Sequence, residues 1–326
     1  MNAYRRIVEA LSSGDRFLIA CHVDPDPDCI GSLLALDWLL ERLGKRSQPL
    51  SHDGILPQWR FLPRIERIAS PREPAAWSEE TWDALVVVDC EVSRTGSAAA
   101  WADRVERVIN IDHHVTNPGT GHINLVVPEA AAAGAVVYRL IREAGAELDA
   151  DVATLLYAAI MSDTGSFRFS NTTAETFEIA ADLVRHGAQP DVISREIYET
   201  RSWEYVRLLG RVLETLQRSP DGSVAWIVLS QEMIREEGAR QDESEGFIQY
   251  PRMVDGVEVA LFFRETESGA VRVGFRSKER VDVSRLAQEF GGGGHPRAAG
   301  CTVEGPLEDA VARVVARTVE VAGGGG

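Results

Sequence analysis

Acidic and imidazole side chains gather near the start of the chain, in the run His-Val-Asp-Pro-Asp-Pro-Asp. His22, Asp26 and Asp28 belong to this run, and two prolines stiffen the backbone between them. Carboxylates held this close repel one another, which raises at least one pKa unless a cation neutralises them. A solvated acidic turn is the alternative for Asp26 alone. The full set, with Gly31 and Ser32 opening a helix behind it, predicts a metal site.

Carboxylates and imidazoles recur after two further apolar runs. Asp89 closes the run Val-Val-Val, and the triplet Asp112, His113 and His114 follows Ile-Asn-Ile. A single Asp in such a position often caps the next loop, so Asp89 alone is weak evidence. A hard oxygen ligand beside imidazoles suits Mn, Fe or Zn. One histidine would bind metal while its neighbour acts on substrate or orients a ligand.

A fourth segment, Ser-Asp-Thr-Gly-Ser-Phe-Arg, ends an apolar helical run. Asp163 therefore lies where a helix gives way to a loop, although Gly165 also fits an ordinary helix-terminal turn. Arg168 fits either a pair with a surface acid or a phosphate contact, and we favour the phosphate contact.

Candidate metal ligands thus come from four segments. Oxygen-rich ligation with two imidazoles is typical of two divalent cations about 3.5–4 Å apart, as in two-metal phosphatases and nucleases. Mn²⁺ is the first choice, with Mg²⁺ and Co²⁺ as alternatives. The six candidates are His22, Asp26, Asp28, Asp89, His113 and Asp163.

The elements that must position these side chains alternate between strands and helices. Apolar runs predict strands at 17–20, 84–88 and 105–111, and helical patterns cover 4–13, 30–43, 130–144, 150–161 and 173–186. This alternation predicts an α/β fold with a mostly parallel sheet and helices on both faces. Ligands bind such sheets at the carboxyl ends of the strands, where the first three segments lie.

The pattern changes after Gly187. Residues 190–217 read as helical, and strands follow at 223–229, 257–264, 271–276 and 298–303, with helices at 283–290 and 307–321. The sequence therefore predicts a catalytic domain at 1–187, a helical linker at 188–220 and a smaller α/β substrate-binding domain at 221–322. Residues 323–326 are predicted to be a flexible tail.

A glycine run in the second half is a candidate anion site. Residues 291–294 are four glycines, which let backbone N–H groups approach an anion without obstruction by Cβ. Residues 264–300 contain seven basic and five acidic side chains, a net charge of +2 within a chain of −16. The alternative is a flexible loop beside a solvated strand; the four preceding segments favour substrate binding.

Composition excludes several classes of protein. The chain has 326 residues, 44% of them hydrophobic, and its charge of −16 disfavours a protein that coats long duplex DNA. No apolar run reaches 18 residues and the first residues lack an apolar core segment, so we expect neither a membrane span nor a signal peptide. The four cysteines show no C-x-x-C spacing, so we expect them to be reduced and the protein to be cytoplasmic. The oligomeric state is left open, with a homodimer among the options.

Taken together, the segments His-x-Asp-Pro-Asp-Pro-Asp, Val-Val-Val-Asp, Asp-His-His and Ser-Asp-Thr-Gly resemble motifs I to IV of the DHH phosphoesterase superfamily. The run Gly-Gly-Gly-Gly-His-Pro-Arg-Ala-Ala-Gly resembles the glycine-rich loop of its DHHA1 domain. The motifs occur in the expected order over nearly the whole chain. The fourth motif and the chain length are most similar to the oligoribonuclease and 3′-phosphoadenosine-5′-phosphate phosphatase branch, often called nanoRNases.

The resemblance implies a role for each residue. His22 and Asp26 would bind one metal, Asp28, His113 and Asp163 would bind the other, and Asp89 would bridge the two. Asp112 would orient its neighbours, and His114 would face the scissile phosphate with help from Arg168. The residues that would hold the substrate in the second domain are Arg276, Gly293, Gly294, His295 and Arg297.

The expected substrates are short RNAs and small nucleotides, which a two-metal phosphoesterase would cleave to mononucleotides or, for 3′-phosphoadenosine-5′-phosphate, to AMP. A cyclic or linear di-adenylate phosphodiesterase is the nearest alternative among enzymes. A non-catalytic nucleotide sensor on the same fold is the alternative from another class. That sensor would lack at least one metal ligand, whereas all six positions here hold competent residues.

Overall fold

The structure is a computed structural model that describes residues 3–73, 76–244 and 246–323. Contacts divide the chain into two compact units, Met1–Thr200 and Arg201–Gly326. The predicted boundaries at 187 and 220 remain predictions. The side chain of His295 and residues 324–326 of the predicted tail lie outside the described part of the chain.

The first unit contains a parallel sheet of five strands in the order β2-β1-β3-β4-β5. The strands are β1 (Arg16–Ala20), β2 (Arg46–Leu50), β3 (Ala84–Val88), β4 (Arg107–Asp112) and β5 (Ile123–Val126). Its α-helices are α1 (Ala3–Ser13), α2 (Pro27–Arg42), α3 (Ala133–Glu143), α4 (Ala150–Asp163), α5 (Ala174–Arg185) and α6 (Pro190–Ser194). A short π-helix follows at Arg195–Glu199. The predicted α/β class with a parallel sheet is confirmed.

Alternating strand residues bury both faces of this sheet, as expected for parallel strands. On one face, Ile19 of β1 and Val86 of β3 join the large core formed with the helices. On the other face, Leu18 and Leu85 pack in a second core that contains Trp77, Trp82 and Trp101. Short 3-10 helices at Ala76–Glu79 and Val92–Trp101 supply two of these tryptophans, so different kinds of helix cover the two faces.

Helix α2 begins three residues earlier than predicted because the acidic run supplies its cap. The side chain of Asp26 accepts the backbone N–H of Cys29 at 2.9 Å, and Pro27 occupies the first helical position. Asp28 consequently lies inside the helix rather than in a loop. Further along α2, Gly31 allows close packing on α4, since a Cβ there would lie 2.5 Å from the carbonyl oxygen of Leu155.

The second unit is built on a mixed six-stranded sheet in the order β10-β11-β9-β8-β7-β6. Its strands are β6 (Gln217–Arg218), β7 (Val224–Leu229), β8 (Val259–Glu265), β9 (Val271–Ser277), β10 (Gly293–His295) and β11 (Ala298–Val303). Its helices are α7 (Trp203–Glu214), α8 (Gln231–Glu237), α9 (Gln249–Met253), α10 (Val283–Glu289) and α11 (Leu307–Gly323), with a 3-10 turn at Gln241–Ser244. Of the glycine run predicted as a loop, Gly293 and Gly294 form the edge strand β10 together with His295. In the described part of the chain, no helix is long and apolar enough to span a membrane.

Candidate metal centre

The structure brings the four chemistry-bearing segments of the first unit together. His22 follows β1, Asp89 follows β3, and His113 follows β4. Parallel strands end at the same edge of the sheet, so these three residues lie close together. Asp163, the last residue of α4, approaches the same group: its Oδ2 lies 3.8 Å from Nε2 of His113. Segments far apart in sequence therefore contribute to one cluster.

Asp89 lies at the centre of this cluster. Its Oδ2 is 3.4 Å from Nε2 of His22, and its Oδ1 is 3.5 Å from Nε2 of His113 and 3.7 Å from Nδ1 of His114. The residue is almost completely buried, with 2% of its surface exposed. One carboxylate with an imidazole on each oxygen has the placement expected of a ligand shared by two ions.

The backbone at Asp89 is held in an unusual conformation. Its φ of 62° lies in the left-handed region, which costs a residue other than glycine about 1 kcal/mol. The amide of Asp89 donates to the carbonyl of Ile111, and the buried side chain of Asn110 donates to the carbonyl of Cys90 at 2.6 Å. These hydrogen bonds from β4 hold the turn that directs the carboxylate into the cluster.

Asp28 caps a helix in addition to its predicted role as a metal ligand. Its Oδ2 accepts the backbone N–H of Ala133 and its Oδ1 that of Gly134, both at 2.8 Å. These are orphan donors of the first turn of α3, which has no side-chain cap of its own. Nε2 of His113 lies 3.7 Å from the same carboxylate.

Asp112 holds His114 and also lies beside the cluster, since one of its carboxylate oxygens is within 4.8 Å of ligand atoms of Asp89, His113 and His114. Its Oδ1 accepts the backbone amides of His113 and His114 and lies 2.7 Å from Nδ1 of His114. An ionised carboxylate only accepts hydrogen bonds, so Nδ1 of His114 is the donor and Nε2 is directed away from Asp112. The amide of Asn117 donates to the other oxygen of Asp112 at 2.5 Å and to Oδ1 of Asn110 at 2.8 Å.

The turn after Asp163 carries the remaining candidate of this unit. Three consecutive residues, Gly165, Ser166 and Phe167, have φ values between 55° and 60°. Arg168 follows on the exposed side of this turn, and its Nε donates to the carbonyl of Gly165 at 2.6 Å. Its phosphate contact remains a prediction.

The charges in the cluster perturb one another strongly. Burial disfavours the cationic form of His22, but its contacts with Asp89 and Asp26 prevail and raise its pKa to about 10. The pKa of His113 likewise rises to about 10, because Asp89 and Asp28 outweigh the effect of burial. Burial raises the pKa of Asp163 to about 7. Burial also opposes ionisation of Asp89, yet His113 and His22 lower its pKa below the usual value.

These groups fit divalent cations. In the described ranges, Oδ1 of Asp89 and Nε2 of His113 are buried polar atoms without a hydrogen-bond partner, which is costly unless another species satisfies them. Ligand atoms of Asp28, His113 and Asp163 lie within 4.8 Å of one another, as do those of His22, Cys29 and Asp89. Burial raises the pKa of Asp26, and the nearby charge of Asp89 raises it further. Asp26 therefore lies close to the cluster.

In the second unit, the predicted substrate residues meet at one end of the sheet. Arg276 of β9, Ala298 of β11 and His295 of β10 form a single row across three strands. Gly294 needs to be glycine, because its φ is 140° and a Cβ would lie 2.6 Å from the carbonyl oxygen of Ala298. A Cβ on Gly293, by contrast, would meet nothing within 4 Å. Arg297 is exposed and donates to the carbonyl of Val281.

Sequence reasoning missed the amides that support the ligands. Asn171 donates to the backbone carbonyl and, at 3.3 Å, to Oδ2 of Asp163, while Asn110 and Asn117 support Asp89 and Asp112. Asn110 stands between two isoleucines of an apolar run, so the sequence could have predicted a buried amide that hydrogen-bonds a specific partner. The other two stand in ordinary polar loops and gave no such signal.

The chain matches family models and known proteins over most of its length. Residues 16–160 match the model of the DHH family, N-terminal domain, and residues 222–323 match that of the DHHA1 domain. The chain is 37% identical to the bifunctional oligoribonuclease and PAP phosphatase NrnA of Thermus thermophilus over 91% of this chain and 87% of that protein. It is 26% identical to the protein of the same name from Bacillus subtilis, over 91% and 92% of the two chains.

A solved structure has the same architecture. An exopolyphosphatase-related protein from Bacteroides fragilis matches with a TM-score of 0.92 and 27% identity, covering 98% of this chain and 95% of that one. Family models thus match both halves of the chain, and a relative that is 37% identical covers 91% of it. The chain therefore belongs to the DHH–DHHA1 family of metal-dependent phosphoesterases.

Proposed function

We propose that this protein hydrolyses short oligoribonucleotides to mononucleotides, and 3′-phosphoadenosine-5′-phosphate to AMP and inorganic phosphate. The observation that carries the proposal is the Asp89-centred cluster, in a chain 37% identical over 91% of its length to a bifunctional oligoribonuclease and PAP phosphatase. The first activity cleaves a phosphodiester and the second a phosphomonoester, and one hydrolytic centre serves both.

Two divalent cations, with Mn²⁺ as the first choice, would supply a water of lowered pKa and neutralise charge on the phosphoryl group. His22 and Asp26 would hold one ion, and Asp28, His113 and Asp163 would hold the other. Asp89 would contribute to both sites, a role supported by its distances of 3.4 Å to His22 and 3.5 Å to His113.

The chain's own residues then position the phosphate. Asp112 fixes the ring of His114 through Nδ1, and Nε2 is assigned to a phosphoryl oxygen. The guanidinium of Arg168, exposed on the turn after Asp163, is assigned to a second oxygen.

The second unit is assigned to the remainder of the nucleotide. Its candidate contacts are Arg276, Gly293, Gly294, His295 and Arg297, on the row that joins β9, β11 and β10. A short basic stretch within an acidic chain favours small anionic substrates over long duplexes.

A substrate panel tests the proposal. Purified protein with Mn²⁺ is given RNAs of increasing length, 3′-phosphoadenosine-5′-phosphate, and linear and cyclic di-adenylate, and the products are separated by chromatography. We expect the shortest RNAs and the bisphosphate to be cleaved fastest; preferential cleavage of the cyclic di-adenylate would reassign the substrate.

An Asp89→Asn variant tests the proposed metal centre. It keeps the size of the side chain but removes its charge, so turnover should fall by at least about 10³-fold. Full activity in this variant would contradict the site assignment, because no other carboxylate contacts both His22 and His113 among the described ion pairs.

A further inference from the structure

The sheet of the second unit carries a line of glycines on one face. Gly293 of β10 pairs directly with Gly300 of β11, Gly300 pairs with Gly274 of β9, and Gly274 pairs with Phe262 of β8. Residues paired directly on antiparallel strands have their side chains on the same face of a sheet. Three adjacent strands therefore present bare backbone along this line, which we call the glycine row (Gly293, Gly300 and Gly274).

Helices pack on both faces of this sheet, but at different places. On the opposite face, α10 and α11 bury Val273 of β9. On the face of the glycine row, α7 and α8 pack over Ile227 of β7 and Ala260 of β8. Gly300 of β11 is exposed. The glycine row therefore runs from the edge of the core under α7 and α8 to the open edge of the sheet.

The fold itself does not require glycine at these three positions. Their φ values lie outside the left-handed region. A Cβ on Gly293 would meet nothing within 4 Å, and one on Gly274 would make ordinary contact with Ile248 at 3.4 Å. A Cβ on Gly300 would lie 3.3 Å from the carbonyl oxygen of Val273, which is tight by only a few tenths of an ångström. Glycine weakens a strand and often marks a place where a ligand approaches the backbone closely.

Arginines border the glycine row on both sides. Arg276 of β9 lies on one side, while Arg272 of β9 and Arg264 of β8, which pair directly with each other, lie on the other. The guanidinium carbon of Arg264 is 5.5 Å from the ring centroid of Phe262, at the end of the glycine row. Two guanidinium groups side by side suit the oxygens of one phosphate group.

We propose that the glycine row is the floor of a channel for single-stranded RNA, and that Arg264 and Arg272 bind a backbone phosphate further along the strand than the phosphate at Arg276. The inference rests on the proposed function and deepens it, because it adds a subsite that only the longer substrates reach. The sugars and bases between the two phosphates lie against the bare backbone of the glycines.

The spacing of the arginines determines which substrates reach both subsites. Arg272 and Arg276 are four residues apart on β9, which corresponds to about 14 Å. A single ribose separates the two phosphates of 3′-phosphoadenosine-5′-phosphate, and the same holds for a 5′-phosphorylated dinucleotide. Neither molecule spans that distance, whereas an RNA of four nucleotides does. The subsite therefore contributes to RNA binding and not to binding of the bisphosphate.

Kinetics of an Arg272→Gln variant test the subsite. The change keeps an exposed polar side chain but removes its charge. We expect KM for a four-nucleotide RNA to rise about tenfold, with KM for the 5′-phosphorylated dinucleotide and for 3′-phosphoadenosine-5′-phosphate changed less than about twofold. The slope of log KM against log salt for the longer RNA should also fall by about 0.7, the value for one phosphate contact of a single strand. Arg313→Gln is the matched control, since Arg313 is an exposed arginine of α11 and should leave every KM unchanged.

A Gly274→Ala variant tests the floor of the channel. Its methyl group fits the protein, so the melting temperature should stay the same while KM for the four-nucleotide RNA rises. If Arg272→Gln leaves KM for that RNA unchanged, raises KM for all three substrates equally, or behaves like Arg313→Gln, the second phosphate subsite is wrong and the proposed function stands. If the natural protein cleaves neither RNA nor the bisphosphate, the proposed function itself is wrong, and the inference falls with it.

Discussion

The carboxylate of Asp28 accepts the backbone N–H of Gly134 at 2.8 Å, so a proposed metal ligand also caps a helix. Its second oxygen accepts the amide of Ala133, and together they satisfy two donors of the first turn of α3. Asp163, another proposed ligand of the same ion, has no such duty to a helix in the described hydrogen bonds. Removing the two carboxylates should therefore have different consequences.

We expect Asp28→Ala to destabilise the metal-free protein by about 1–3 kcal/mol, because two buried amides lose their acceptor. Burial raises the pKa of both carboxylates, but Asp163 accepts no helix amide in the described hydrogen bonds, so Asp163→Ala should leave the metal-free protein as stable as before or more so. Urea denaturation in the presence of a chelator measures both. Equal losses in the two variants would show that Asp28 does not support α3.

The metal-free protein should lose stability as the pH rises. Asp163 has a folded pKa of about 7, above its unfolded value, so its contribution is present at low pH and is lost as the pH rises through 7. His22 and His113, with a folded pKa of about 10, add a contribution that is lost as the pH rises through 10. Chemical denaturation between pH 4 and 10 measures the slope, and Asp163→Asn should remove only its lower part. A rise in stability over this range would contradict the assignment.

Metal binding should displace these same protons. Ions must find deprotonated ligands, so Mn²⁺ affinity should increase with pH and binding should release protons near neutral pH. Calorimetry in two buffers of different ionisation enthalpy measures the number released. Identical binding heats in both buffers would mean that the histidines are already neutral in the metal-free site.

Asn117→Ala should slow turnover without weakening substrate binding. The amide holds Asp112, which in turn holds His114, so its loss should reduce kcat by about 10–100-fold and leave KM nearly unchanged. Asn124→Ala is the matched control, because Asn124 of β5 hydrogen-bonds Gly121 of the same loop and makes none of the described contacts of Asp112. An equal effect of both substitutions would point to loss of the loop structure instead.

Two neighbouring glycines should respond differently to alanine. Gly294→Ala should destabilise the second unit, because both the backbone angle and the carbonyl of Ala298 exclude a Cβ. Gly293→Ala meets no obstacle within the protein, so it should keep the melting temperature and raise KM if a substrate approaches the backbone there. Thermal denaturation and kinetics of both variants check this, and an unchanged KM in Gly293→Ala would remove that residue from the substrate site.

The buried strands and the ligand types could be predicted from the sequence because local patterns determine them. Ala84–Val88 and Ala298–Val303 have the predicted bounds. Strand β2 was missed, since Arg-Ser-Gln-Pro-Leu has no apolar run and is specified by its pairing with β1. The start of α2 was predicted too late, although Asp26 and Pro27 form a standard cap and first position.

The supporting interactions could not be predicted because they join distant segments. Asn110 holds the turn of Asp89 from another strand, and Asp28 caps a helix more than a hundred residues away. Neither hydrogen bond can be predicted from a short stretch of sequence, because its two partners lie far apart in the chain. Both follow only once the order of the parallel strands is known.

The order of the ligands along the chain has a consequence for biosynthesis. His22 leaves the ribosome well before Asp163, which emerges only with the end of α4. A nascent chain that stops at β4 holds all the proposed ligands of one ion, His22, Asp26 and Asp89, but lacks His113 and Asp163 of the other. Under the proposed ligand sets, one cation could load before α4 has been synthesised, whereas the cation held by Asp28, His113 and Asp163 would find its coordination shell unfinished until then.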